Sequence, residues 1–402
     1  MKKAERFDVI YCECSGDIVA AFDLWSQGQS NPSPPVQTYS SQFFAFARQA
    51  RLRVYALSGN PRPARSRRDN FCVAHHAKTV FPIPVVGYHL GQFVQALVLA
   101  RLALRHRPRV MLVDSGVTDW IFLLPLRILG VRIVAVLHNS LWPNGFSPRT
   151  LLKRLWLGAD RLFFRHVAHA AFCVSPLIER QLRCLAPGSA LPVVQFRVLF
   201  DPRHFPPETA APASAVPFRV MFAGRIERNK GVFDHLAAAR LLETEHPGRF
   251  VHEVCGDGGD LDELARRVDA LGLSAIFRLH GQLDRESLLA RYRASHVVVV
   301  PTRSDFCEGF AQVVAEAVLL CRPVVTNAVV PAAEILHEAI LEFHTDDAES
   351  LAACIRRLAA SAELYQAKRS ACMRLRDTLL DARCSFGAQL SEHRDLFRAE
   401  PV

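Results

Sequence analysis

What the sequence lacks excludes several classes of protein. Its opening residues, MKKAERFDVIYCEC, contain no apolar run long enough for the core of a secretory signal. No G-x-G-x-x-G follows the first apolar strand, which argues against an NAD-dependent oxidoreductase. No aromatic and basic RNA-binding motif and no zinc-finger spacing occur, so nucleic acid is not an expected partner. We therefore expect a cytoplasmic protein outside these classes.

The cysteines do not indicate a disulfide framework or a metal site. There are eleven of them, an odd number, and a chain without a secretory signal is expected to keep them reduced. Cys12, Cys14, His75 and His76 lack the two paired clusters of a zinc site. We therefore predict no bound metal.

One apolar stretch, residues 120–138, has the composition of a membrane span but not its continuity. It contains Arg127 and Arg132, and each arginine near the centre of a bilayer costs ~2.5–3.5 kcal/mol on insertion scales. Pro125 and Gly130 also interrupt it. The stretch therefore predicts a helix, a short turn and a buried strand.

Positive charge is concentrated in the first half of the chain. Residues 1–200 contain 25 Lys and Arg against 10 Asp and Glu, whereas residues 201–402 contain 24 against 29. A basic surface suits phosphate-rich partners. The apolar, arginine-bearing segments 90–109 and 149–169 further predict peripheral contact with an anionic membrane, although their apolar stripes also suit packing on a sheet.

Short apolar runs alternate with helical patterns along the chain, which indicates α/β layers with parallel sheets. A length of 402 residues suits two domains better than one core. Five prolines interrupt the alternation between Asp201 and Pro217, which predicts a linker. We predict an N-terminal Rossmann-like acceptor-binding domain at 1–200, a linker at 201–216, a C-terminal Rossmann-like donor domain at 217–380, and a helix at 381–402 that packs back on the first domain.

The predicted elements follow the same alternation in both halves. In the first half the strands are FDVIYC, RVYALS, RVMLVDS, RIVAVLH, AFCVS and VQFRVLF, and the helices include 42–51, 90–106, 147–169 and 178–185. In the second half the strands are FRVMFAG, FVHEVCG, IFRLHG, HVVVVP and PVVTN, and the helices are 233–244, 261–271, 285–294 and 310–320.

A basic loop follows the first strand of the second half. Gly224 lets the backbone approach a ligand, while Arg225 and Lys230 place two cations where a diphosphate would lie. Ligands of such sheets bind at the carboxyl ends of the strands, where this loop is expected. The alternative is an ordinary solvated basic loop.

Two carboxylates follow a later strand of the same half. Glu308 and Glu316 are eight residues apart, a little over two helical turns, so they face one side if Glu316 lies on the helix. Carboxylates suit paired sugar hydroxyls. The alternative is that Glu316 has a structural role.

Four segments in this half together resemble the retaining glycosyltransferases of family 4, within glycosyl transferases group 1. They are GRIERNKG, EVCGDGGDLDEL, IFRLHGQL and VVVVPTRSDFCEGFAQVVAEAVLLCRPVVTN, and the resemblance covers about residues 217–337. It implies the GT-B fold, in which two Rossmann-like, doubly wound parallel-sheet domains face each other across a cleft.

The resemblance also implies roles for the charged residues. Arg225 and Lys230 match the pair that binds the donor diphosphate and stabilises the departing nucleotide. Glu316 matches the acid that binds the ribose hydroxyls, and Glu308 matches the acid that contacts the transferred sugar.

Further donor contacts come from the neighbouring positions. Gly309 and Phe310 match the helix start, where backbone amides meet phosphate or sugar. The segment from Arg278 to Leu283 matches the part that packs on the nucleobase.

The acceptor side is less fully specified by the resemblance. His138 matches a histidine that lines this side of the cleft and positions the sugar or acceptor. Ser15, Gly16 and Asp114 are the other acceptor-side candidates. The usual glycine pair after the first strand is replaced by CECSGDIVAAFD, so the acceptor loop itself is not assigned.

Two departures lie in the second half. Cys321 replaces a usual glycine before PVV, and AVVPAAE lacks the glycine pair expected after that strand. Glu334 stands where the family has an acid. The missing glycine pair is a departure in the part of the site that would recognise the sugar.

The function implied is transfer of a hexose, with retention, from a UDP- or GDP-linked sugar to a saccharide or lipid-linked saccharide. Neither a metal nor a cofactor is expected, because protein cations carry the charge of the diphosphate. The setting would be bacterial surface or exopolysaccharide assembly, at the cytoplasmic face of the membrane. The alternative is a GT-B sugar-nucleotide epimerase or another nucleotide-sugar-binding enzyme without a glycosyl acceptor.

Overall fold

The computed structural model of the protein describes residues 5–14, 16–29, 36–83, 86–146, 150–206 and 216–398. Ser15, the start of the predicted helix 147–169 and most of the predicted linker lie outside the described residues. The described residues form two α/β domains, each built on a largely parallel sheet. The predicted fold class, two doubly wound Rossmann-like domains, is confirmed.

The first domain is built on an eight-stranded sheet within the described residues, in the order β4-β5-β3-β1-β6-β7-β8-β9. All of its strand pairs are parallel except β4 with β5. Strands β2 and β10 form a separate two-stranded ribbon. The strands of the domain are β1 (Val9–Glu13), β2 (Val36–Gln37), β3 (Val54–Ser58), β4 (Arg65–Arg68), β5 (Phe71–His75), β6 (Val110–Asp114), β7 (Arg132–Leu137), β8 (Ala168–Cys173), β9 (Val193–Gln195) and β10 (Leu199–Phe200). The helices are α1 (Ile18–Ser26), α2 (Tyr39–Gln49), α3 (Val86–His106), α4 (Leu124–Ile128), α5 (Leu151–His166) and α6 (Pro176–Leu185).

The second domain has a six-stranded parallel sheet within the described residues, in the order β13-β12-β11-β14-β15-β16. Its strands are β11 (Phe218–Ala223), β12 (Phe250–Cys255), β13 (Phe277–Leu279), β14 (Val297–Val300), β15 (Val324–Thr326) and β16 (Ile340–Glu342). The helices from this point to the C-terminus are α7 (Val232–Glu245), α8 (Leu261–Ala270), α9 (Arg285–Ala294), α10 (Gln312–Leu319), α11 (Ala332–Ile335), α12 (Ala348–Ala360), α13 (Ala362–Leu380) and α14 (Phe386–Glu392).

The central strands are buried on both faces because helices cover both sides of each sheet. The residues of β6 and β14 are buried throughout, which explains why these strands appear in the sequence as continuous apolar runs. Helix α9 has the predicted bounds, and most other helices differ from their predicted ends by a few residues.

Helix α14 packs on the first domain. The backbone amide of Gly387 in α14 donates to Oε1 of Gln42 in α2 at 3.1 Å. The ring of Phe386 lies 4.9 Å from that of Phe196 and 5.7 Å from that of Tyr39. Helix α14 therefore helps to hold α2 in place.

Some predictions of local structure are wrong. VQFRVLF is not one strand, because β9 pairs with β8 in the main sheet whereas β10 pairs with β2 in a separate antiparallel ribbon. Helix α1 and the β4–β5 hairpin were not predicted. The residues of β4, RSRR, lie at the edge of the sheet and are mostly exposed, so they lack the apolar pattern of a buried strand.

The apolar stretch at 120–138 folds as predicted. It forms a short 3₁₀ helix (Trp120–Leu123), α4, a turn and then β7. Across the described part of the chain, no helix is both long enough and apolar enough to cross a bilayer.

Candidate active site

The two domains meet where the loops after β7 and β14 touch. The backbone amide of Ser140 donates to the carbonyl oxygen of Glu308 at 3.3 Å. A Cβ atom at Gly309 would stand 1.6 Å from the carbonyl oxygen of His138, so only glycine fits this contact. The predicted role of Gly309 as an amide donor to phosphate stays a prediction, and its position explains the close approach of the domains.

A cavity of about 400 Å³ lies at this junction and brings together six of the predicted site residues. Its lining includes Gly224, Arg225, Lys230, Glu308, Phe310 and His138. The first five come from loops at the carboxyl ends of β11 and β14, which are neighbouring parallel strands. Adjacent parallel strands end at the same edge of a sheet, which explains why residues far apart in sequence meet here.

Lys230 and Glu308 form the best-defined polar contact of the cavity. The Lys230 ammonium lies 2.6 Å from Oε2 of Glu308, and both side chains are mostly shielded from solvent. The hydroxyl of Thr302 donates to the same carboxylate oxygen at 3.3 Å. The ring of Phe306 lies 4.0 Å from the ammonium. The pair is thus held in place before any ligand arrives.

Arg225 stands at the more open side of the cavity. Its guanidinium donates to Oε1 of Glu227 at 2.8 Å and lies 5.7 Å from the centre of the Phe306 ring. More than half of its side chain is exposed. Because Arg225 is this exposed, an anion that enters beside Lys230 can replace Glu227 as its partner.

The start of helix α10 forms another wall of the cavity. Ala311, Gln312 and Val313 line it, and Ala311 has a φ of +64°. The amides at the N-terminus of a helix favour negative charge. This wall therefore adds to the attraction for an anion that Lys230 and Arg225 provide.

Glu316 lies on α10 as predicted, but it does not line the cavity. Its buried carboxylate accepts a hydrogen bond from the hydroxyl of Tyr292 at 2.8 Å. Burial raises the pKa of Glu316, and the bond from Tyr292 offsets part of that rise. The predicted contact of Glu316 with ribose stays a prediction.

The remaining donor-side candidates also lie outside the cavity lining. The guanidinium of Arg278 is half exposed and lies 3.6 Å from the buried carboxylate of Glu253. Leu283 packs against the hydrophobic core. Glu334 pairs through both carboxylate oxygens with Arg180 of the first domain, at 2.7 Å each. The nucleobase and sugar contacts predicted for these residues stay predictions.

A second cavity, of about 330 Å³, lies on the side of the first domain. Gly16, Asp114 and His138 line it, while Ser15 lies outside the described residues. Asp114 ends β6 and His138 follows β7, and these strands are neighbours in the sheet. Oδ2 of Asp114 is 3.3 Å from Nε2 of His138, without the alignment of a hydrogen bond.

Two residues of this second cavity were missed by the sequence analysis. The ring of Tyr39 stacks on that of His138, with centroids 4.5 Å apart. Burial raises the pKa of Glu13 to about 8, with a further contribution from the charge of Asp114 and a partial offset from the hydroxyl of Ser40. Glu13 is at the carboxyl end of β1, and that position was the only available sequence signal.

Comparison with known proteins is consistent with this geometry. Residues 212–371 match the family model described as Glycosyl transferases group 1. Glycogen synthase of Mycobacterium tuberculosis (strain CDC 1551 / Oshkosh) is 26% identical over 254 residues, which cover 59% of this chain and 58% of the relative. The chain spans about half the length of the curated relatives it matches.

Two solved structures share the fold over nearly the whole chain. Sucrose-phosphate synthase from Thermosynechococcus elongatus superposes with a TM-score of 0.71 at 18% identity, covering 97% of this chain and 98% of the other. Anabaena HepE, in complex with UDP and glucose, gives a TM-score of 0.65 at 16% identity, covering 97% and 100%. The fold is the GT-B fold.

Proposed function

We propose that the protein is a retaining glycosyltransferase of family 4 that moves a hexose from a nucleoside diphosphate sugar to a saccharide or lipid-linked saccharide. The observation that carries this proposal is the cavity in which Lys230, Arg225 and Glu308 meet, with His138 in the same lining. Two cations and a helix N-terminus suit a diphosphate, and the carboxylate suits sugar hydroxyls. UDP or GDP is the proposed nucleotide, and HepE, which shares the fold, binds UDP and glucose.

The proposed step breaks the bond between the anomeric carbon and the diphosphate oxygen, and the electron pair leaves with that oxygen. The acceptor hydroxyl forms the new bond from the same face, and its proton passes to the departing diphosphate. Lys230 and Arg225 stabilise the negative charge that develops on this leaving group. We propose that these protein cations act without a metal or a cofactor.

The second cavity favours transfer to an acceptor over epimerisation of the donor. Its lining shares Tyr39, His138, Val198 and Gln312 with the first cavity, so the two spaces meet beside His138. An epimerase has no need of a separate space for a second substrate. Assembly of a surface polysaccharide or exopolysaccharide is the proposed setting.

A thermal-shift screen tests the donor assignment. We expect UDP or GDP, and the matching nucleotide sugar, to stabilise the protein by about 2.7 kcal/mol at 100 times its Kd, because it binds only the folded state. Uridine and guanosine serve as controls, since they lack the diphosphate that Lys230 and Arg225 would bind. If neither diphosphate raises the melting temperature, or if the nucleosides raise it equally, the donor assignment is incorrect.

We further propose that the first domain contacts the membrane from the cytoplasmic side through a surface formed by α3, α4 and α5, here called the membrane face. Aromatic contacts hold these helices together. The ring of Phe122, in the 3₁₀ helix before α4, lies 5.3 Å from the ring of Phe93 in α3 and 5.7 Å from that of Trp156 in α5. Several large apolar side chains of these helices are exposed, namely Leu97, Leu104, Ile128, Leu151 and Leu155. Exposed arginines and a lysine lie among them, including Arg101, Arg105, Arg127, Lys153 and Arg161. Apolar side chains within a basic surface are typical of interfacial binding.

Vesicle sedimentation tests the membrane face. We expect the protein to sediment with vesicles that contain anionic lipid at low salt, and the Ile128→Glu and Leu155→Glu variants to sediment several-fold less, because each places a charge in the apolar layer. Met373→Glu is the matched control, since Met373 is exposed to a similar degree but lies on α13. Equal sedimentation of all four proteins would contradict the proposal.

A further inference from the structure

The second cavity has an acidic lining without basic side chains among the described residues. Glu13 and Asp114 contribute carboxylates, and the other polar groups are neutral hydroxyls, amides and the His138 ring. The ammonium of Lys78 donates to the backbone carbonyl of Gly116, and Lys78 does not line the cavity. The described lining therefore offers an anion no Lys or Arg to pair with, in contrast to the basic cavity beside it.

Several polar atoms of this lining are buried and have no hydrogen-bond partner. They are Oε2 of Glu13, Oδ1 of Asp114 and both ring nitrogens of His138. Asp114 is only 3% exposed, so its free oxygen points into the cavity or into the protein interior rather than to bulk water. Buried polar atoms are normally satisfied, and hydroxyl groups of a ligand, which both donate and accept, can supply the partners that these atoms lack.

The position of Glu13 depends on the glycine that follows it in the loop. A Cβ atom at Gly16 would stand 2.1 Å from Oε1 of Glu13. Any larger residue at position 16 would therefore push the carboxylate out of its place. The loop after β1 departs from the usual glycine pair, yet this glycine keeps space for an acid.

We propose that Glu13, together with Asp114, selects an uncharged, hydroxyl-rich acceptor and excludes one that carries a phosphate on the unit entering the cavity. The proposal rests on the proposed glycosyl transfer and names the chemical class of its acceptor. A phosphate ester carries a charge of about −1.5 to −2 at neutral pH, which the Asp114 carboxylate would repel and which no Lys or Arg of the described lining would neutralise. Sugar hydroxyls, by contrast, both donate and accept, so they can pair with the Asp114 carboxylate and with the carboxyl group of Glu13, which its raised pKa keeps protonated at neutral pH. Glu13 is thus proposed as the specificity-determining residue.

Paired acceptors test the class of substrate. The purified full chain, with the nucleotide sugar that stabilises it most, is offered glucose and glucose 6-phosphate, mannose and mannose 6-phosphate, and inositol and inositol 3-phosphate. We expect kcat/KM to favour the neutral member of each accepted pair. Preference for a phosphorylated member would overturn the proposal, as would failure to transfer to any neutral sugar while the donor is still hydrolysed. Absence of donor binding and hydrolysis would instead count against the glycosyltransferase itself.

Glu13→Ala tests the residue. We expect the KM for the neutral acceptor to rise about tenfold, because a buried hydrogen-bond partner of the acceptor hydroxyls is lost. The KM for the donor is measured beside it as a readout of the other cavity. Asp262→Ala, which removes an exposed acid on α8 and should leave both KM values unchanged, is the matched control. Gly16→Ala, which displaces the carboxylate without removing it, should raise the same KM. If the Glu13 variant and Gly16→Ala both have the acceptor KM of the wild type, the proposed role of Glu13 is overturned.

Discussion

Lys230→Ala is expected to lower kcat by about 10²- to 10³-fold, the range seen when one preorganised electrostatic group is removed from a site where charge develops. The physical reason is the position of the ammonium, which is shielded from solvent and fixed by Glu308 at 2.6 Å. A group that is already oriented needs no reorganisation during the reaction. Single-turnover measurements with saturating donor would separate this loss from weaker binding.

Arg228→Ala is the matched control for this variant. Arg228 lies two residues before Lys230 on the same short 3₁₀ helix (Arg228–Lys230), but its guanidinium pairs with Glu263 and lies near Asp260 at the start of α8. It does not line the cavity. We expect this variant to retain wild-type kcat within a few-fold. A normal transfer rate in the double variant Arg225→Ala with Lys230→Ala would show that the leaving group is stabilised elsewhere.

The contribution of Glu13 to the stability of the protein is expected to fall as the pH rises from about 5 to 8. Its pKa is raised from the ordinary value of 4.5 to about 8 in the folded state. Between these values the folded protein holds a proton that the unfolded chain has released. Stabilisation is therefore complete below the ordinary pKa and is lost toward pH 8, at up to about 1.4 kcal/mol per pH unit.

Denaturant unfolding of the wild type and of Glu13→Gln at pH 5, 6.5 and 8 measures this effect. Glutamine does not titrate, so the difference between the two free energies of unfolding should change with pH in favour of the variant. Taking the difference removes the contribution of Asp160, whose pKa burial raises to about 7. A difference that is independent of pH would mean that solvent reaches the Glu13 carboxylate.

The alternation of strands and helices could be predicted from the sequence because most strands of both sheets are buried and apolar. That signal identified the order of β11, β12, β13, β14 and β15 along the chain, and it gave both ends of helix α9 correctly. It failed at β4, where four polar residues form an edge strand, and at β10, whose partner β2 lies more than 150 residues away. Pairing at such distances leaves no local periodicity in the sequence.

The donor side of the site was predictable for a different reason. Loops that carry Arg225, Lys230 and Glu308 follow strands, and the carboxyl ends of neighbouring parallel strands converge. The acceptor side was only partly predictable, because the importance of Glu13 and Tyr39 comes from their burial and from stacking on His138. Burial of an acid at the end of β1 depends on how α2 packs, and α2 is held by the C-terminal helix.

The wall shared by the two cavities has a consequence for redesign of the enzyme. Tyr39, His138 and Gln312 face both spaces, so a substitution that enlarges the room for one substrate also removes a surface that touches the other. Attempts to broaden the acceptor range by mutating this wall should therefore alter donor preference at the same time. Glu13 lines the acceptor cavity alone, and directed evolution that begins there can change one specificity while leaving the other intact.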